Sequence, residues 1–155
     1  MSQKYQIDNT DRKILQFLQE DARIPYLEIA RKLVVSGGMV HQRIEKLKEA
    51  QIIQGSKVKL NLKNLGYDVT VFLGVHLKSS KNHPQVVAKL KEFPEVLEAH
   101  YTTGSYALLL KICTKSISDF HRFLTEKLQS IDEVQATESF ISMDQPINKD
   151  INFIE

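Results

Sequence analysis

Over the first sixty residues, apolar side chains recur at helical spacing. Ile14, Leu15 and Leu18 follow an acidic start at Asp8 with Asp11 three residues on, which predicts a first helix capped by Asp8 and ending near Glu20. Tyr26, Ile29, Ala30 and Leu33 then fall at i, i+3, i+4 and i+7, an amphipathic second helix with Glu28, Arg31 and Lys32 outside. Ser36 is a good N-cap for a third, whose Val40, Ile44 and Leu47 repeat at i, i+4 and i+7. Only a few residues separate the second and third helices, the connection of a helix-turn-helix spanning about residues 26–45. Beyond them Ile52 and Ile53 open an extended stretch in which Lys57 and Lys59 share one face, a small basic wing.

The period then changes from helical to alternating. Val69, Val71, Leu73, Val75 and Leu77 alternate with Thr70, Phe72, Gly74 and His76, a strand with one face committed to a core. Pro84 opens a helix carrying Val86, Leu90 and Phe93, closed by Pro94. Two strands, 96–103 and 107–113, flank Gly104-Ser105-Tyr106 as a hairpin. Ser116 with Asp119 caps a helix bearing Ile117, Phe120, Leu124 and Leu128, and 134–143 is a last strand. The order βαββαβ predicts a ferredoxin-like second domain, and the class α+β. Both helices would cover one sheet face, leaving Phe72 exposed on the other and inviting subunit pairing. The expected organisation is a winged helix-turn-helix domain over 1–61, a linker over 62–67 and the ferredoxin-like domain over 68–155.

Charge sharpens this division. Residues 1–61 hold 11 Lys or Arg against 7 Asp or Glu, and residues 62–155 hold 10 against 12, so a basic front half precedes an acidic back half. A polyanion suits the first half, although an excess of this size also fits an ordinary solvated surface. The single Cys113 excludes an internal disulfide and a thiolate metal cluster, and no stretch is apolar enough to span a membrane. A cytoplasmic protein is expected. Enzyme chemistry finds little support: the only Arg beyond position 43 is Arg122, and the five His residues show no metal-ligand spacing. No cofactor or metal is expected.

The candidate chemistry lies on the polar face of the third helix. Gly38, Met39, Gln42, Arg43 and Lys46 are expected to turn outward; Gln and Arg can make bidentate bonds to base edges, and Met39 can meet a thymine methyl. Ser36, Gly37 and Gly38 at the helix start offer backbone N–H groups to a phosphate, and His41 and Lys57 are weaker members of the same surface. The competing reading is a solvated amphipathic helix. A short-turn helix pair on a basic segment favours double-stranded DNA.

The stretch SGGMVHQRIEKLKEAQII, LGYDV at 65–69, YTTGSYALLLK at 101–111 and TES at 137–139 together resemble the Lrp/AsnC family of transcriptional regulators, with the AsnC branch nearest. The resemblance covers essentially the whole chain. It implies DNA binding by the first domain, amino-acid sensing by the second, and homodimers associating further, as octamers or helical assemblies, on nucleoid DNA. Carried onto this chain, it places an effector around Thr102, Thr103, Gly104, Ser105 and Tyr106, with Thr137 and Glu138 as further contributors. Such a loop supplies the N–H and hydroxyl donors that an amino-acid carboxylate needs, whereas the plain reading is a polar hairpin turn. Asparagine is the first candidate effector; leucine, methionine, lysine or no ligand remain open.

Four positions depart from the family pattern. Ala107 stands where many members carry Asp, so the acceptor for the effector's ammonium must come from elsewhere, such as Glu138. Val34 and Gln51 replace glycines at turns, and a β-branched residue at positive φ is strained, which predicts a slightly different turn at Val34. Gly37 replaces a proline at the start of the third helix. The rival function is an amino-acid-binding sensor subunit that acts through a partner regulator without binding DNA itself.

Overall fold

The computed structural model describes residues 5–153. Three helices, α1 (Asn9–Glu20), α2 (Tyr26–Leu33) and α3 (Gly37–Glu49), build the first compact unit. Asp8 caps α1 through a reciprocal capping box: its side chain accepts from the Asp11 N–H at 2.8 Å, and the Asp11 carboxylate accepts from the Asp8 N–H at 3.2 Å. Ser36 caps α3 by accepting the Met39 N–H at 3.1 Å. The expected apolar seams meet in one small core of Ile14, Ile24, Ile29, Ala30, Val40 and Ile44.

The turn between α2 and α3 keeps the geometry a glycine would have. Val34 sits at φ 56°, ψ 48° and is 91% exposed, so no packing compensates the left-handed backbone. Gln51, just beyond α3, is likewise at φ 57°. The altered turn expected at Val34 is therefore not seen; the strain is tolerated.

The second unit, Leu60–Pro146, is a four-stranded antiparallel sheet in the order β2-β3-β1-β4, with β1 at Val69–Leu77, β2 at Val96–Tyr101, β3 at Leu108–Thr114 and β4 at Val134–Ile141. Helix α4 (His83–Leu90) and helix α5 (Ile117–Arg122), which continues through wider π-helical turns over Phe123–Leu128, cover one face. The core lies between them, with Val71, Leu73, Val75, Leu108, Leu110 and Ile112 from the sheet against Val86, Leu90, Phe120, Phe123 and Leu128. The π turns widen the register after Phe123, so Phe123 and Leu128, five residues apart, are both buried and Leu124 only partly so, while Ile117 at the start of α5 is exposed.

Three boundaries differ from expectation. The segment expected as a linker belongs to the second unit: the Gly66 and Tyr67 N–H groups close a turn onto Lys63 and Leu62, and the Lys115 ammonium sits over the Tyr67 ring. The tail from Ile147 groups instead with the helical unit, where Phe153 lines an apolar cleft with Leu15, Leu18, Ile44, Ile52 and Ile53. The expected basic wing does not form a strand: among the described residues, 53–61 has no helix or strand and no ladder partner.

Candidate DNA-binding and effector sites

On α3, Gln42, His41 and Lys46 are exposed, and Met39 is half-buried. A Cβ at Gly38 would meet no neighbouring atom, so the backbone there is open to a close approach. Gly37 instead lets α3 begin close to α2, since a Cβ there would lie 2.7 Å from the Leu27 side chain. The Ser36 oxygen is occupied as a cap acceptor, leaving its O–H free to donate to a phosphate. Lys57 lies exposed on the extended segment.

Arg43 is corrected. It does not turn outward: its Nη1 donates to Asp8 Oδ2 at 2.7 Å and Asp11 Oδ1 at 2.9 Å, and its side chain is only 24% exposed. Asp11 is 1% exposed and also accepts from the Tyr5 hydroxyl at 3.1 Å. The hydrogen bond from the Asp11 N–H, followed by the Arg43 guanidinium, holds the Asp8 carboxyl below its usual value. Helical periodicity places position 43 at the edge of the apolar seam, where an arginine reaches inward if a carboxylate waits there. The acids at 8 and 11 were legible as a capping box, but not as this arginine's partners.

In the second unit the hairpin between β2 and β3 carries the candidate effector residues. The Thr102 hydroxyl donates to the Tyr106 carbonyl, the Thr102 N–H to the Ala107 carbonyl at 3.1 Å, and the Ala107 N–H to the Val75 carbonyl at 2.9 Å. Thr103, Gly104 and Ser105 form the exposed tip. Gly104 does not need positive φ, and a Cβ there would meet nothing within the chain.

Tyr106 crosses the sheet. Its ring lies against Gly74, where a Cβ would come within 2.5–2.6 Å of three ring carbons, and its hydroxyl donates to Glu138. That bond is the main reason the phenol pKa is raised. Gly74 and Glu138 are cross-strand partners, so a glycine on β1 makes room for a ring that links the hairpin to β4. Glu138 thus joins the loop residues, whereas Thr137, paired with Val75, belongs to the helix-covered face. The part played by Gly74 went unread in the sequence, although a glycine inside an alternating strand signals a close approach.

The uncovered face carries Phe72 and its cross-strand partner Phe140, 41% and 46% exposed, beside Leu109 and the Lys111–Glu98 ion pair at 3.0 Å. Among the described residues, no helix is long and apolar enough to cross a membrane.

A helix-turn-helix followed by an antiparallel sensor-type domain defines a class: DNA-binding transcriptional regulators that carry their own ligand-binding domain. Residues 7–48 match the AsnC-type helix-turn-helix domain and residues 70–151 the Lrp/AsnC ligand binding domain, so the chain belongs to the Lrp/AsnC family. It is 48% identical to regulatory protein AsnC of Haemophilus influenzae over 95% of this chain and 98% of that one. To regulatory protein AsnC of Escherichia coli K12 it is 45% identical, over 96% and 98%. The solved structure of the E. coli protein superimposes with a TM-score of 0.92 at 44% identity, over 96% of this chain and 99% of that one. A Neisseria meningitidis transcriptional regulator, determined as its complex with L-Met, matches with a TM-score of 0.87 at 26% identity, over 92% and 94%. These relatives are regulators rather than enzymes, and the present chain is a transcriptional regulator with a DNA-binding and a ligand-binding domain.

Proposed function

We propose that this regulator reads double-stranded DNA with the exposed face of α3 and that an amino acid bound at the 102–107 hairpin changes how it does so. The observation that carries the reading is one face of α3 that offers base-edge and phosphate chemistry. Gln42 and Met39 meet base edges; Ser36, the Gly37 and Gly38 backbone, His41, Lys46 and Lys57 contact phosphates. At the hairpin, the Thr102–Ser105 backbone and hydroxyls receive the effector's carboxylate, and Glu138 receives its ammonium in place of the acid missing at Ala107. Tyr106 walls the site. The AsnC likeness puts asparagine first among effectors, and the L-Met complex of the Neisseria regulator supports an amino acid more generally.

The uncovered apolar sheet face pairs with a second copy, and dimers associate further, with an octamer as the expected assembly. Two-fold pairing requires half-sites about 10 base pairs apart, or multiples of that, on one face of the DNA. Binding that favours one assembly over another satisfies the linkage that a ligand response requires.

Affinity for in vitro selected sites tests the DNA half. Gln42→Ala should cost about 1–3 kcal/mol and relax preference at one position, whereas Lys46→Ala should weaken all sites alike and reduce the salt slope by roughly 1. Unchanged binding in both variants would remove α3 as the reading element.

A further inference from the structure

Apolar contacts hold α3 against its neighbours through Val40, Ile44 and Leu47, all buried. Such contacts are non-directional and set the inward face coarsely, leaving small changes of roll or slide along the axis to be fixed by something else. A charge-assisted hydrogen bond is directional. On α3 the only ion pairs among the described residues are Arg43 to Asp8 and Asp11, and the Lys48–Glu45 pair at 2.8 Å within the helix; Lys48 also meets Tyr26 of α2, but in the last turn of α3. Arg43 Nη1 alone bridges α3 to the N-terminal cap of α1. It follows Gln42 directly and lies four residues after Met39 and three before Lys46, so fixing its direction fixes theirs.

The same geometry argues against Arg43 leaving for DNA. Asp11 is 1% exposed; without the guanidinium its charge would be buried with only the Tyr5 hydroxyl and the Asp8 N–H as donors. Both acids would also face the approaching phosphates uncompensated. A buried charge deprived of its partner is costly, and a DNA contact made by Arg43 would have to offset that cost before adding affinity.

Resting on the DNA-binding reading of α3, we propose that Arg43 is a positioning residue: its bridge to Asp8 and Asp11 sets the roll and register at which Met39, Gln42 and Lys46 meet the groove, and it touches no base.

The test uses the full-length protein and DNA sites selected with it, comparing Arg43→Ala, Arg43→Lys, Asp11→Asn and the Arg43→Ala/Asp11→Asn double variant. Arg43→Ala should lose ten-fold or more in affinity, with preference weakened together at the positions read by Met39 and Gln42 rather than lost at a single base pair. Arg43→Lys, whose ammonium can still bridge the acids, should recover most of that loss. Asp11→Asn removes a negative charge, yet should lower affinity, and the double variant should be no worse than Arg43→Ala. A base reader gives the opposite pattern: preference relaxes at one base pair, lysine fails to rescue, and Asp11→Asn leaves affinity unchanged or raises it. That pattern would overturn the proposal. A DNA-free readout keeps the two readings separable. Arg43→Ala should shift backbone amide resonances along α3 and around Asp8 together, and shifts confined to the neighbours of position 43 refute the bridge even if the wild type binds no DNA.

Discussion

Val34 occupies a backbone region that costs an L residue roughly 1–2 kcal/mol, and a β-branched one most of all. Because its side chain is exposed, glycine there loses no packing. Allowing for the greater freedom glycine gives the unfolded chain, Val34→Gly should stabilise the helical unit by about 0.5–1 kcal/mol, read as a raised thermal midpoint. A lowered midpoint would mean that the side chain makes a contact the structure does not contain. Asp8 supplies a second test at this scale. Its folded-state pKa lies below the ordinary value of 3.8, so its contribution is present above that value and fades as pH falls through the lower, folded one. Asp8→Asn keeps a good cap but loses the charge, so its deficit against the wild type should be full at pH 6 and shrink below about pH 4. A deficit that stays constant down to pH 2 would contradict the ion pair. Residue identity alone carried the caps at Asp8 and Ser36, because an N-cap is a local event. It could not carry Arg43, whose partners lie more than thirty positions away and become neighbours only when α1 packs on α3.

At the scale of elements, the hairpin and β1 are joined through one ring. Gly74→Ala would drive a methyl into Tyr106, and overpacking of this kind costs about 1–3 kcal/mol. The variant should unfold earlier and lose the Tyr106–Glu138 bond. Adding Tyr106→Ala should recover part of the stability, since the clash goes with the ring. Additive losses on thermal unfolding would contradict the contact. Element boundaries were legible where periodicity is long: β1 coincides with its alternating run, and α1 and α2 with their apolar seams. They were less legible where geometry departs from an ideal period. The π-helical turns after α5 bury Phe123 with Leu128 and leave Leu124, expected in the core, only partly buried, and α4 ends at Leu90 before Phe93. The stretch after α3, expected to be extended, has no ladder partner among the described residues, which no local pattern can announce.

For the whole molecule, the uncovered sheet face places apolar surface in water. Phe72→Asp sets a charge among Phe140 and Leu109 and, if the proposed pairing uses this face, should yield smaller species than the wild type in sedimentation, leaving the fold intact by circular dichroism. An unchanged assembly would move the subunit interface elsewhere. The two-unit division was legible from the change of period near position 60, whereas the return of the tail to the helical unit was not: it depends on Phe153 finding an apolar cleft far away in sequence.

On the proposed function, DNA binding by α3 responds to an amino acid held at the 102–107 hairpin. A footprint titration on the DNA upstream of the protein's own gene tests it most directly, at one fixed salt because phosphate contacts make affinity steeply salt-dependent. It is run with and without asparagine, and then with a pool of the other amino acids, on the wild type and Gly104→Asp. Periodic protection whose extent or spacing shifts with an amino acid is expected in the wild type only. Protection indifferent to every amino acid, or a shift that Gly104→Asp retains, would contradict it.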